Sequence, residues 1–476
     1  MPKRWGKLAY RLFYLLLQYL PVTINQKKQI WYQFGLLCRR IVPFWFDDLS
    51  MKKVLLEKYA ESKIIEEQRY LYQKRLNSLR SLYERIYILR PAAMNMGNMC
   101  VNYWYIKLIT EQKKKNELIV LMNYDREEPI FSFQYKMVAN QYFYKKIASM
   151  IETMDESNAA FWGYALKNTK GYISCRILRE QFFFLEKPCM PKHIAKTQYP
   201  QKNYIEYSAE EQETGRNILE RLGCKEKEYY CFFSRNNDYH GVYYNDAGER
   251  AKNITTKRNS AIEDFLFASK MLFQAGIKAV RVGALDFRKI ESETIIDYTN
   301  TVRSEFMDFY LMGQAKFFLG DPSGIMYIPL LQNVPLALTN NLSIIWNMEY
   351  ISNYNNAKCL SIYKKWYDTN KGRYLTFREI LQLNERQGLS TENEIQFYYD
   401  RGIEFHANTA EEICDLALEM NARLDGKWKD SSEILTLREK YWNIVNKALE
   451  KAPYQMMLLD YEPGSSFLLK NQWLLE

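Results

Sequence analysis

Beyond residue 228, short unbroken apolar runs alternate with stretches of helical period. Tyr229–Phe233, Lys278–Gly283 and Ile295–Tyr298 are bounded by polar residues and predict buried strands, with a helix over Asn259–Gln274 between the first two. A Ser304-capped helix follows Arg303, then a short strand ending at Gly320, then a tight turn, Asp321-Pro322-Ser323-Gly324, that opens another helix. Val334–Leu338 closes the series. Strands wound with helices in this order predict a parallel, Rossmann-like sheet. A strand ending in a small-residue turn leaves backbone N–H groups facing open space with the positive end of a helix behind them, a place where phosphate binds.

The N-terminal half repeats the pattern less regularly. Residues 48–87 have the spacing of one or two amphipathic helices; Tyr87–Leu89 predicts a strand, 96–98 a turn, Val101–Thr110 a helix and Leu118–Met122 a second strand. The last 130 residues read as mainly helical, with a capping box at Thr409-Ala410-Glu411-Glu412. The expected organisation is therefore α/β with two Rossmann-like domains, 86–225 and 226–345, a basic helical region at 1–85 and a helical region at 346–476 closing over both.

Composition changes this picture at one end only. With 47% hydrophobic and 26% charged residues the chain can fill real cores. Residues 1–46 carry Lys3, Arg4, Lys7, Arg11, Lys27, Lys28, Arg39 and Arg40 and no acid, which is +8 of the formal +10. The remaining body is near neutral, which argues against a nucleic-acid-binding surface. Leu8, Phe13, Leu15–Leu17 and Leu20 accompany these cations, while Arg4, Lys7, Arg11 and Gln18 share a helical face. That pattern suits a helix lying in a membrane interface, or one packed on the protein's own surface. The apolar run stops at Pro21 and contains Arg11, too short to span a bilayer, and no small-residue cleavage site follows it.

The eight Cys form no C-x-x-C pair, and reduced thiols in a cytoplasmic protein are the plain reading. Only three His occur, dispersed at 193, 240 and 406, and no P-loop, G-x-G-x-x-G, H-E-x-x-H, G-x-S-x-G or D-x-D is present. A bound nucleotide-sugar would have its phosphates neutralised by cationic side chains and helix ends rather than by a metal.

Several motifs follow one another along the chain: Cys231-x-x-x-Arg235, Arg258-Asn259-Ser260, Val280-Arg281-x-Gly283, Ile296-Asp297-Tyr298, Arg303-Ser304-x-Phe306-x-Asp308-x-Tyr310-Leu311, Phe317-Phe318, Ser323-Gly324 and Gly464-Ser465-Ser466-Phe467-Leu468. In these, from Tyr229 onward, the chain resembles a family of bacterial glycosyltransferases of surface-polysaccharide synthesis with a two-domain, GT-B-like architecture. More distantly, it is similar to the donor site of metal-independent fucosyltransferases. It departs from their first motif, which has His two residues before the Arg and Asp after it; here Phe233 and Asn236 stand there.

The resemblance implies a nucleotide-diphosphate sugar donor, a glycan or polyprenyl-linked acceptor, no cofactor and no metal. It implies a donor site in the second domain and an acceptor site in the first. Arg235, just after a strand, would grip the diphosphate or serve as a surface salt bridge, and Arg303 would reach the same phosphates; both are the expected catalytic residues. Arg281, Gly283, Ser304, Asp308, Ser323 and Gly324 are the expected donor-binding set. Ser323 is equally a helix cap, Asp308 a dipole complement or a partner that orients Arg303, and Gly283 a simple turn. Gly97, Asn98 and Asn140 are the acceptor-side expectations. With the basic N-terminus, the expected place is the inner face of the cytoplasmic membrane. A non-catalytic, membrane-docked partner of an assembly complex, or a pyruvyl or phosphosugar transferase, stays open as an alternative.

Overall fold

A computed structural model describes residues 66–89, 116–121, 139–149, 182–185, 205–236, 257–283, 288–342, 344, 359–384, 398–449 and 461–476, with scattered positions before 38 and between 96 and 110. The chain divides into two units, Met1–Lys196 and Thr197–Glu476.

In the first unit, helix α1 (Glu66–Leu82) leads into strand β1 (Arg85–Leu89), which pairs in parallel with β2 (Glu117–Leu121) and with β3 (Phe182–Leu185). The apolar runs thus form a parallel sheet, as their lack of alternation predicts. Met96 and Gly97 are already helical, so the expected turn there is replaced by an earlier helix start, with Gly97 buried. Asn140 is fully buried and its Oδ1 accepts from the Phe143 N–H at 2.8 Å, opening helix α2 (Gln141–Ser149).

The second unit holds a seven-stranded sheet in the order β13-β9-β8-β7-β4-β5-β6, parallel throughout. Its strands are β4 (Tyr229–Phe233), β5 (Lys278–Arg281), β6 (Ile295–Asp297), β7 (Phe318–Gly320), β8 (Leu336–Asn341), β9 (Cys359–Tyr363) and β13 (Tyr461–Pro463). The chain winds outward from β4 to β6, then returns to β7 on the other side of β4. That reversal is the topological switch point of an open α/β sheet, where ligands bind outside the carboxyl ends of the strands. Gly320 permits the close approach there: a Cβ on it would lie 2.5 Å from the Phe233 carbonyl oxygen.

The division between the units falls earlier in the chain than the expected 225/226. Helix α3 (Ala209–Arg221), capped by Ser208 and Glu211, belongs to the second unit. Gly215 leaves room for the Tyr310 ring, and the Tyr207 hydroxyl donates to Gln332 Oε1 at 2.7 Å. The C-terminal region carries long helices but also supplies strands that the sequence did not signal: β9, β13 and a separate antiparallel sheet of β10 (Lys365–Asp368), β11 (Arg373–Tyr374) and β12 (Ile403–His406). The capping box at Thr409 is formed and starts the helix Ala410–Leu424. Within this region, Glu419 is buried and bonds Arg438 and Ser465.

The helix expected from Asn259 instead begins with a 3-10 turn at Ile262–Phe265 that continues into α4 (Leu266–Gln274). Asn259 and Ser260 are drawn off the helical path because their side chains are engaged elsewhere, as follows.

Candidate functional site

The carboxyl ends of β4 and β7 place Ser234-Arg235 beside Asp321. Asp321 is 1% exposed and collects four donors. Its Oδ2 accepts from the Arg235 backbone N–H at 2.8 Å and from the Ser260 hydroxyl; its Oδ1 accepts from Thr339 Oγ1 and Asn340 Nδ2, each at 2.8 Å. One carboxylate thereby joins the ends of β4, β7 and β8 to the 257–260 segment. Asn340 sits at φ 52°, a left-handed conformation that Asn tolerates; its backbone N–H donates to Asn408 Oδ1 at 2.6 Å, and its own Oδ1 accepts from the Asn408 backbone N–H at 2.7 Å. The unusual backbone lies at the site itself, as strain often does.

Around this hub stand three cations. Arg235 Nη1 donates to Asn259 Oδ1, Arg258 Nη2 to the Pro322 carbonyl at 3.2 Å, and Lys364 Nζ to the carbonyls of Lys257 and Asn259 at 3.1 and 2.7 Å. Burial lowers the Lys364 pKa to about 8; Arg235 and Arg258 push the same way, and Asp321 and Asp264 oppose them. Asp264, beside them, has its pKa raised by burial first and then by Glu263 and Asp321. Three cations against two carboxylates, one of them saturated with hydrogen bonds, make a place suited to an anion.

Arg235, Ser323 and Gly324 therefore fall at the switch point. Ser323 occupies the N-cap position of a 3-10 turn, Gly324–Met326, but its hydroxyl makes no cap bond and finds no partner among the described residues. The N–H groups at that end are not taken by the Ser323 hydroxyl, which is itself left for another acceptor.

The other expected donor residues lie along the same edge of the sheet but divide by role. Arg281 is 2% exposed, its Nη1 held by the Arg288 carbonyl and by Asp297 Oδ2 at 3.3 Å; Arg281 and Asp297 are register partners on β5 and β6. Its Nη1 is thus engaged inside the protein. Gly283 follows β5, and a Cβ there would make only ordinary contacts with Thr299 and Phe233, so the protein itself does not demand glycine.

Ser304 caps α5 (Glu305–Gln314) through the Met307 N–H at 3.2 Å, and Arg303 Nη2 reaches Asp308 Oδ2 at 2.6 Å. Asp308 thus orients Arg303, one of its two expected roles. The Tyr298 hydroxyl sits 3.1 Å from Asp308 Oδ1. Burial raises the Asp308 pKa to about 6 against the opposing pull of Arg303. The folded state therefore binds a proton that the unfolded state releases near pH 4, so stability from this group is present at low pH and lost as pH rises through about 6. Asp308→Asn should remove a slope on the order of 2–3 kcal/mol between about pH 4 and 7, measured as urea midpoints across that range; an unchanged slope would assign it elsewhere.

On the acceptor side, Gly97 is a buried helical position and Asn140 a buried cap, not open turns; Asn98 lies outside the described residues. Asp321, Arg258 and Lys364 are the site residues that sequence reasoning missed. Arg258 alone carried a signal, as part of the Arg258-Asn259-Ser260 motif. No group of three or more His, Cys, Asp or Glu that could hold a metal occurs among the described residues.

No protein-family profile and no curated protein matches the chain. Among solved structures, it is similar to a family 9 glycosyl transferase from Veillonella parvula at 12% identity and TM-score 0.37, over 67% of this chain and 97% of that one. It is also similar to ADP-heptose LPS heptosyltransferase II from E. coli at 13% identity and TM-score 0.31, over 71% and 100%. The wall teichoic acid polymerase TagF is similar at 11% identity and TM-score 0.24, over 77% and 100%.

Proposed function

We propose that the chain is a metal-independent glycosyltransferase that takes a nucleotide-diphosphate sugar at the switch point of the seven-stranded sheet and passes the sugar to a glycan or polyprenyl-linked acceptor. The observation that carries the phosphate part is the convergence of Arg235, Arg258 and Lys364 on the carboxyl ends of β4 and β7 around the saturated Asp321. Transfer needs charge on the leaving diphosphate to be stabilised as it develops, and fixed guanidinium and ammonium groups in a poorly hydrated site do this without reorganising. The role of the sugar rests on the motif resemblance.

A thermal-shift panel of GDP, UDP, TDP and CMP, with and without EDTA, tests the proposal. A nucleoside diphosphate should raise the melting temperature, and EDTA should leave the shift intact. No shift with any of them would favour a non-catalytic partner of an assembly complex, the alternative that Phe233 and Asn236 suggest.

The proposed place of action is the inner membrane surface. No helix among the described residues is long and apolar enough to cross a bilayer. The described positions in 8–20 are helical up to Leu17, with Tyr10 and Leu17 buried and Leu8, Leu12, Leu16 and Leu20 at least 41% exposed. Exposed leucines in a segment whose sequence holds eight cations and no acid suit an anionic lipid surface, each cation contributing about 1 kcal/mol at low salt. Removing residues 1–46 should abolish co-sedimentation with anionic vesicles; equal sedimentation of both forms would exclude this segment as the anchor.

A further inference from the structure

Lys364 is 4% exposed and follows β9 directly, its backbone N–H bonded to the Asn341 carbonyl at 2.9 Å. Two of its three ammonium donors go to the carbonyls of Lys257 and Asn259. These residues flank Arg258, and Asn259 in turn accepts from Arg235. A single side chain therefore ties together the segment on which both guanidinium groups of the site depend.

We infer that Lys364 is a positioning residue that shapes the phosphate site, clamping the Lys257 and Asn259 carbonyls so that Arg258 and Arg235 are held for an anion, and that anion binding is coupled to retention of the proton on its Nζ. The inference rests on the phosphate reading above.

The coupling follows from the surroundings. Arg235 after β4 and Arg258 in the clamped segment disfavour the charged amine, while Asp321 after β7 and Asp264 in the 3-10 turn favour it. Burial outweighs these and brings the pKa to about 8, within reach of ordinary buffers. A phosphate placed among the three cations favours the ammonium. By reciprocity, loss of that proton weakens the phosphate. The neutral amine is also the poorer donor to the two carbonyls, so the clamp loosens as the charge disappears.

The test is calorimetric titration of the full-length chain with pyrophosphate between about pH 7 and 9.5, in buffers of different ionisation heat. Above about pH 8, wild-type affinity should fall by roughly tenfold per pH unit, with proton uptake on binding. Lys364→Arg, charged throughout, should show a clearly shallower fall and no uptake. Lys364→Met should bind at least about tenfold more weakly at pH 7. The titration of pyrophosphate itself is common to all three proteins and cancels in the comparison. Equal pH slopes and equal proton uptake for wild type and Lys364→Arg would overturn the role of Lys364 while leaving the phosphate site standing. Absence of pyrophosphate binding by the wild type at pH 7 would overturn the phosphate site, and this inference with it.

Discussion

Asp321→Ala should lower the melting temperature by roughly 10 °C and abolish nucleotide binding. The substitution strips an acceptor from four donors at once, the Arg235 N–H, Ser260, Thr339 and Asn340, in a place that is 1% exposed. Leaving buried donors unmet and nearby cations uncompensated costs about 3–5 kcal/mol, which a unit of this size registers as a shift of that order. Asp321→Asn keeps the shape but turns an N–H2 toward one donor pair, and should recover at most half of the loss. A melting temperature within about 2 °C of wild type for Asp321→Ala would show that the carboxylate does not organise the strand ends.

Arg235→Ala should reduce affinity for nucleoside diphosphates by roughly 10- to 100-fold while changing nucleoside binding by less than about threefold. The contrast isolates phosphate from base and ribose. Arg303→Ala makes a second comparison, because its guanidinium already spends one nitrogen on Asp308 at 2.6 Å and lies beyond β6, two strands from Arg235. Its loss should be smaller and should also favour the diphosphate. Titrations with the diphosphate and the matching nucleoside decide the matter; equal loss of both ligands for Arg235→Ala would point to a base contact or to local unfolding.

The parallel strands from β4 to β8 were legible in the chain because both their faces are covered, so they read as unbroken apolar runs closed by polar turns. The same rule fails for β13, whose three residues include a proline, and for β10, where Lys365-Trp366-Tyr367-Asp368 is too short to show its alternation. The burial of Arg281 was hidden for a related reason. A cation inside an apolar strand marks a buried pair when the next strand presents an acid at the matching register, and Asp297 does so. Asp321 and Lys364 were not legible. In Gly320-Asp321-Pro322-Ser323 an aspartate looks like turn chemistry, and Lys364-Lys365 looks like a solvated basic pair. Only the closure of β9 against β8 carries Lys364 to the 257–260 segment, more than a hundred residues away in sequence.

The position of β13 governs how the protein must be made. β9 is a fully buried strand, yet its outer partner arrives only at Tyr461–Pro463, about a hundred residues later. At roughly 5–20 residues per second of synthesis, the edge of β9 stands open for about 5–20 s, with an apolar ladder ready to pair with any other strand. A premature stop before residue 461 would thus do more than shorten a tail. It would make that opening permanent and deprive the buried Glu419 and Arg438 of Ser465, yielding a chain disposed to aggregate rather than a slightly smaller protein.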